Sequence, residues 1–79
     1  MKISYDSSYN IAYIHLREKG AEIETVRITD ELNIDLSPDG KVYGIELLNA
    51  NEQLEIMEQI KFTFINEKNN TQIELPISV

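Results

Sequence analysis

Apolar and polar residues alternate along most of this chain, and a period of two is typical of strands that bury one face. In the clearest example, Leu32, Ile34 and Leu36 alternate with polar residues. Between residues 22 and 28 the alternation is imperfect, which predicts a twist, a bulge or an edge position. Gly44 interrupts another run, and a glycine inside a strand predicts a bulge or an aromatic ring over the backbone. The pattern predicts five strands before residue 49, at positions 2–5, 11–17, 22–28, 32–36 and 43–47.

The period changes to that of a helix after Asn49. Leu54, Met57 and Ile60 form an apolar stripe at helical spacing, with glutamates on the opposite side. Asn49 and Glu52 have the spacing of a capping box, in which the first side chain caps a free amide and the second reaches back. We therefore expect a helix of about ten residues, which must pack on the sheet because so short a helix is marginal alone.

The chain returns to strand character after residue 60. Phe62 and Phe64 alternate with polar residues, and residues 67–70 are turn formers. Pro76 has no amide hydrogen to donate to a ladder, so the last strand is expected at an edge. The apolar residues expected on one face of that last strand are Ile73, Leu75, Ile77 and Val79.

Together these patterns predict an α+β fold: an antiparallel β-meander of about five strands, one short helix packed on it and a C-terminal β-hairpin. The 79 residues fit a single domain, 1–79, which buries only about 60–65% of the surface that its unfolded chain exposes. The chain has no cysteine, so no disulfide stabilises this small core. Small domains of this kind often gain stability by association, so a protein partner or a homodimer is expected.

The charge balance excludes several classes of partner. Fourteen acidic and seven basic residues give a net charge of −7, which repels a phosphate backbone and argues against direct nucleic-acid binding. The same charge would steer encounter with a basic protein. No apolar run approaches the length of a membrane span, and the first ten residues lack the apolar core of a signal peptide. With no cysteine either, a cytoplasmic location is expected.

The fourth and fifth strands are joined by the tetrapeptide Ser-Pro-Asp-Gly at residues 37–40. This tetrapeptide suits a type I turn followed by a glycine in the left-handed region, as in a three-residue hairpin loop with a bulge. Such a loop pairs Leu36 with Val42 and places Ile34 opposite Gly44.

The other possibility is a two-residue Asp-Gly turn, which pairs Ile34 with Ile45 and Leu32 with Leu47. Because a slip of one residue moves a whole apolar set to solvent, we favour this register, which unites the large apolar residues on one face. Its cost is that Pro38 falls at a position that needs an amide hydrogen.

The same stretch fits the loop pattern of an EF-hand, with Asp35, Ser37, Asp39, Gly40 and Glu46 at the required spacing. An EF-hand loop lies between two helices, whereas both flanks here have the period of a strand. If Asp35 lies in a strand, Asp39 is about 13 Å farther along at ~3.3 Å per residue, too far to share an ion. The sequence therefore predicts a hairpin here, and no metal or cofactor.

The candidate functional residues lie on the polar faces of the predicted strands. His15 is the only histidine, and no set of nucleophile and base accompanies it, so no catalytic residue is predicted. Asn33, Asp35 and Glu46 share the polar face of one hairpin and could offer an acidic surface to a basic partner. Tyrosine is enriched at interface hot spots, and Tyr13 lies on the face of His15. The candidate interaction surface is Tyr13, His15, Asn33, Asp35 and Glu46.

Several short motifs also occur in the order and spacing of a known family. They are Tyr5-Asp6, Ala12-Tyr13-Ile14 with Leu16, Asp35, Asp39-Gly40, and Gly-Ile-Glu-Leu-Leu at residues 44–48. By these motifs, about residues 1–55 resemble the small prokaryotic domain-of-unknown-function family numbered 2283. Two features depart from it: Asn10-Ile11 stands where members often have an acid, and residues 61–79 extend past the family core. The resemblance implies a small β-rich domain with a helix and no established activity. Members are often encoded beside small toxin-like proteins, which implies an antitoxin or immunity role.

A non-enzymatic module that binds a protein partner or a second copy of itself is the function that these observations favour. Two alternatives stay open. One is a structural homodimer that pairs through its C-terminal strand, and the other is a small ligand-binding protein or enzyme that uses His15 with nearby carboxylates. The pattern does not decide whether the C-terminal hairpin packs on its own sheet or on another copy.

Overall fold

The computed structural model describes residues 1–18, 20–58 and 61–77. Five strands form one antiparallel sheet, and two more form a separate C-terminal hairpin. This confirms the α+β class, the five-stranded sheet, the short helix and the hairpin. The elements are β1 (Lys2–Asp6), β2 (Ile11–His15), β3 (Glu24–Thr29), β4 (Leu32–Leu36), β5 (Val42–Leu48), α1 (Ala50–Gln53), β6 (Lys61–Asn66) and β7 (Thr71–Pro76).

The strand order of the sheet is β1-β2-β5-β4-β3. Strands that are consecutive in sequence pair in three places, as in a meander, but β2 pairs with β5 and not with β3. The predicted meander order was wrong at this step, because alternation shows which face of a strand is buried and not which strand lies beside it. The edge strand β3 has a register shift between Arg27 and Thr29, as its imperfect alternation predicted.

One face of the sheet is apolar. Directly paired residues point to the same side of a sheet, and here apolar residues are paired with one another across the strands. Two rows of side chains cross it: Ile3, Ile14, Ile45, Ile34 and Val26, and then Tyr5, Ala12, Leu47 and Leu32. We call this side the apolar face of the sheet. Within the described residues, Ala12 and Ala50 are the buried apolar side chains, at the place where α1 contacts β2. The larger apolar residues are half-buried or exposed, so the core is thin.

The favoured register of the β4–β5 hairpin is confirmed over most of its length, since Ile34 lies opposite Ile45. Near the turn, however, Leu36 lies opposite Val42, which belongs to the other register. A bulge reconciles the two, because Tyr43 is an extra residue of β5 at this point. The bulge keeps the apolar residues on both sides of it on one face of the sheet.

The turn of this hairpin is not the two-residue turn that the favoured register implied. The Gly40 amide donates to the Ser37 carbonyl at 2.9 Å, and the Ser37 amide donates to the Lys41 carbonyl at 2.9 Å. These bonds close a three-residue loop in which Gly40 has a φ of 86°. Pro38 occupies the second position of the turn, where no amide hydrogen is needed. The expected conflict at Pro38 therefore does not arise.

Helix α1, Ala50–Gln53, is a single turn, much shorter than the predicted helix. It ends in a Schellman motif: the Glu55 amide donates to the Glu52 carbonyl at 3.2 Å, and the Ile56 amide donates to the Asn51 carbonyl at 3.1 Å. Glu55 has a φ of 51°, in the left-handed region. Glycine normally occupies this position, so the glutamate concealed the end of the helix.

Two further details of the predicted helix were wrong. Leu54 and Met57 lie in the turns that follow α1 and form no helical stripe, and Ile60 lies outside the described residues. Asn49 has a left-handed φ of 54° and makes no side-chain cap; its Nδ2 donates to the Glu52 carboxylate at 2.9 Å. No helical segment of the described chain could span a bilayer.

Substitution of Glu55 by glycine is expected to raise the free energy of unfolding by about 0.5–1 kcal/mol, because glycine adopts the left-handed region without steric cost. Urea denaturation would measure the change. Glu52 is the matched control, since it lies inside α1, where glycine costs about 1 kcal/mol. Equal destabilisation by the two substitutions would contradict this helix end.

The C-terminal hairpin pairs β6 with β7 and does not pair with the sheet. Its two apolar cross-strand pairs share one side, which we call the apolar face of the hairpin. Pro76 ends β7 at an edge, as predicted, whereas Val79 lies outside the described residues. The apolar pairs are Phe62 with Leu75 and Phe64 with Ile73.

Candidate functional site

The five residues predicted as an interaction surface lie together on the polar face of the sheet, which is the side opposite the apolar face. Glu46 of β5 lies between Tyr13 of β2 and Asn33 of β4. In the next row, His15 and Asp35 flank β5 on either side. The structure thus brings all five residues together, and their role in binding a partner stays a prediction.

Asp35 is a centre of hydrogen bonding on this face. Tyr13 Oη donates to Asp35 Oδ2 at 2.6 Å, and Thr25 Oγ1 donates to Asp35 Oδ1 at 2.6 Å. Tyr13 reaches Asp35 by lying across Gly44, and its ring fills the space that a Cβ at Gly44 would need. The glycine inside β5 is therefore explained by an aromatic ring over the backbone, one of the two possibilities that the sequence predicted.

The other predicted residues also bond to their neighbours. Asn33 Nδ2 donates to Glu46 Oε1 at 2.9 Å. The rings of His15 and Tyr13 pack edge to face with centroids 4.4 Å apart, and His15 Nε2 lies 3.3 Å from Ser4 Oγ. Ser4 and Thr25 were not predicted from the sequence, because each reaches its partner, His15 or Asp35, only through the pairing of strands. These contacts hold the polar face in a fixed arrangement.

A cleft of about 590 Å³ lies beside His15. Among the described residues, Tyr13 and Asp35 do not line it. It brings His15 together with one residue that carries a carboxylate, Glu18, so the alternative of a small enzyme or ligand-binding protein at His15 stays a prediction. In the described parts of the chain, no three His, Asp or Glu side chains lie close enough to hold a metal ion. The side chains that line the cleft with His15 are Met1, Lys2, Leu16, Arg17 and Glu18.

The calcium-like spacing belongs to a hairpin, with Asp35 in β4, Glu46 in β5 and Asp39 in the turn between them. The Ser37 hydroxyl donates to the Asp39 carboxylate and accepts from the Lys41 amide at 3.0 Å. The hydrogen bond from Ser37 lowers the pKa of the Asp39 carboxyl below its ordinary value. The oxygens at the tip of this pattern therefore stabilise the turn.

Replacing Ser37 by alanine is expected to raise the pKa of Asp39 toward 3.8. It should also lower the free energy of unfolding by about 0.5–1.5 kcal/mol, because the hydrogen bond from the Lys41 amide to the Ser37 hydroxyl is lost. A carboxyl whose folded pKa is lowered contributes stability above its unfolded pKa, and this is lost as the pH falls through the folded value. The variant should therefore lose less stability than the parent on acidification below about pH 4.

An NMR titration of the Asp39 side chain would measure this pKa in both proteins. Asp39→Asn is the matched control, because it keeps an acceptor for Ser37 and removes the titrating group. An unchanged Asp39 titration in Ser37→Ala would contradict the assigned cause.

Three asparagines join the β1–β2 turn to the start of α1. Asn10 Nδ2 donates to Asn51 Oδ1 at 2.7 Å and to Asn49 Oδ1 at 3.2 Å, while the Asn51 amide donates to Asn10 Oδ1 at 2.8 Å. Asn10 has a left-handed φ of 57°. We call this the asparagine cluster. It was not predicted from the sequence, which indicated only a helix cap at Asn49. The available signal was the tolerance of asparagine for the left-handed region.

The structure also shows exposed apolar surface on the hairpin and the sheet. On the apolar face of the hairpin, exposure rises from 37% at Phe62, near the base, to 55% at Phe64, nearer the tip, and Ile73 is likewise more exposed than Leu75. A cleft of about 1080 Å³ separates the base of the hairpin from the apolar face of the sheet. Its apolar borders include Ile3, Tyr5 and Ile14 of the sheet and Phe62 and Leu75 of the hairpin.

Comparison with known proteins adds one finding. The family model described as "Protein of unknown function (DUF2283)" matches residues 2–51, which span β1 to β5 and the start of α1 and leave the C-terminal hairpin outside. No curated protein and no solved structure matches this chain. Because the family model covers more than half of the residues, the resemblance predicted from the short motifs is confirmed, and the chain belongs to the DUF2283 family.

Proposed function

We propose that this domain is a non-enzymatic protein-interaction module that acts in the cytoplasm. An excess of exposed surface carries the proposal. A compact monomer of this mass exposes about 4,900 Å², whereas this 9.1 kDa chain exposes 6249 Å². Its radius of gyration is 14.3 Å, against about 12 Å for a compact chain of this length. A chain with so much uncovered surface is suited to binding another protein.

The chemistry of the uncovered surface supports apolar contact. Ile3 of the sheet and Phe64 and Ile73 of the hairpin are all exposed, and exposed apolar patches mark interaction sites. On the polar face, by contrast, the carboxylates of Asp35 and Glu46 already accept hydrogen bonds from neighbouring side chains. The apolar faces are therefore the main contact surface in this proposal, and the polar face is a second candidate surface.

An antitoxin-like role is a specific form of this proposal. Its supports are the resemblance to a family whose members are often encoded beside toxin-like proteins and the net charge of −7, which attracts a basic partner. The proposal therefore places binding, and not turnover, at the centre of the function.

Photo-crosslinking in living cells tests the proposal. A photoreactive phenylalanine analogue at Phe64 is expected to form covalent adducts with a protein, because this side chain lies on the apolar face of the hairpin. Ile65 is the matched control: it lies on the other face of the same strand and is equally exposed, at 54% against 55%. Equal adduct yields from both positions, or none from Phe64, would contradict the proposal.

A further inference from the structure

We infer that the partner of the apolar faces is a second copy of this chain, and that the two copies exchange their C-terminal hairpins. In this dimer the apolar face of each hairpin lies on the apolar face of the other sheet. The middle of each hairpin, at Phe64 and Ile73, enters the cleft beside Ile3 and Ile14 of the other copy. The inference rests on the proposed interaction function and names its partner.

The first observation is that the hairpin leaves its own apolar face uncovered. A two-stranded hairpin is at best marginally stable alone in water. Only its base, at Phe62 and Leu75, borders the cleft against its own sheet, and Phe64 is more exposed than Phe62. The part of the hairpin that most needs cover is therefore the part that its own sheet does not reach.

The second observation is that the two apolar faces match in size and character. Six residues of strand at ~3.3 Å each make the hairpin about 20 Å long, and five strands about 4.8 Å apart make the sheet about 19 Å wide. Isoleucines pair across the middle of the sheet, and Phe64 pairs with Ile73 on the hairpin. The net charge of −7 does not prevent this contact, because both of these rows are uncharged.

The third observation is the area available. The exposed surface exceeds that of a compact monomer by roughly 1,300 Å². If each copy buried this excess, the interface would cover roughly 2,600 Å², which falls in the range of obligate homodimers. A two-fold axis forms each hairpin-to-sheet contact twice, so one exchange covers both hairpins and both sheets. A second copy is thus a partner whose area and shape are already on the molecule.

Sedimentation equilibrium of the full chain is the first test. We expect a mass of about 18 kDa, twice the 9.1 kDa of one chain. Phe64→Glu should shift the mass to that of one chain and raise the dissociation constant at least 100-fold, whereas the control Ile65→Glu should leave a dimer. A dimer that persists unchanged in Phe64→Glu would overturn the hairpin exchange.

The second test uses the unmodified protein and so does not depend on whether a variant folds. The two phenylalanines of the chain, Phe62 and Phe64, both lie in the hairpin. In a mixture of labelled and unlabelled chains, we expect NOEs between these rings and the methyl groups of Ile3 and Ile14 of the other chain.

The outcomes of this second test separate the inference from the proposed function. A monomer whose rings contact the methyl groups of their own sheet would overturn both, because the apolar faces would then cover each other. A monomer without these contacts, together with adducts to a different protein at Phe64, would overturn only the inference that the partner is a second copy.

Discussion

Replacing Gly44 by alanine is expected to lower the free energy of unfolding by about 2–4 kcal/mol, a large part of the roughly 4–12 kcal/mol typical of a domain this size. The added methyl group would occupy space that the Tyr13 ring fills. The ring would have to leave, and its hydrogen bond to Asp35 would be lost. Urea denaturation of the two proteins at one protein concentration would measure the loss.

A double-mutant cycle with Tyr13→Ala isolates the cause. Without the ring the space beside Gly44 is free, so Gly44→Ala should cost much less in the Tyr13→Ala chain. Gly40 is the matched control, because no atom lies within 4 Å of its missing Cβ but its φ is 86°. Gly40→Ala should therefore cost about 1–2 kcal/mol in both backgrounds. A Gly44→Ala cost that does not depend on Tyr13 would contradict the packing explanation.

Replacing Asn10 by alanine is the second large change, with an expected loss of about 2–4 kcal/mol. The side chain makes three hydrogen bonds to Asn49 and Asn51, and each contributes about 1 kcal/mol. Alanine would also have to adopt the left-handed φ of 57°, which it tolerates less well than asparagine. Chemical denaturation and the chemical shifts of residues in the β1–β2 turn would measure the effect.

Two other substitutions at Asn10 separate these causes. Asn10→Gly accepts the left-handed backbone but loses all three bonds, so it reports the hydrogen bonds. Asn10→Asp keeps an acceptor for the Asn51 backbone amide but cannot donate to the side-chain oxygens of Asn49 and Asn51. It should therefore remain clearly less stable than the parent. A glycine variant as stable as the parent would show that the asparagine cluster contributes little.

The places of the strands could be predicted from the sequence because alternation is a local property. Leu32, Ile34 and Leu36 mark β4 from end to end, since each must reach the same face. The same parity placed Asn33 and Asp35 together on the polar face, and strand pairing in the structure brings the predicted Tyr13 and His15 to the same face. What a local pattern cannot give is the partner strand, so the pairing of β2 with β5 and the role of Thr25 beside Asp35 appeared only in the structure.

Besides the pairing of strands, the backbone conformation at particular residues could not be predicted from the sequence. Glu55 ends α1 in a conformation that usually requires glycine, and nothing in the residue type indicates it. The bulge at Tyr43 combines two registers that the sequence presented as exclusive. Both features depend on hydrogen bonds between backbone groups. The free energy of these bonds depends on the packing around them and not on the residue type alone.

The strand order also determines how this sheet is expected to assemble and to open. β1 pairs with β2, and β3 to β5 pair among themselves, so each group consists of neighbours in sequence that close quickly. The β2–β5 ladder joins residues that lie far apart in the chain and should form last. The bond from Tyr13 across Gly44 to Asp35 and the asparagine cluster both span this join. These hydrogen bonds connect the two halves of the sheet. Their free energies therefore determine how often the halves separate in the native protein.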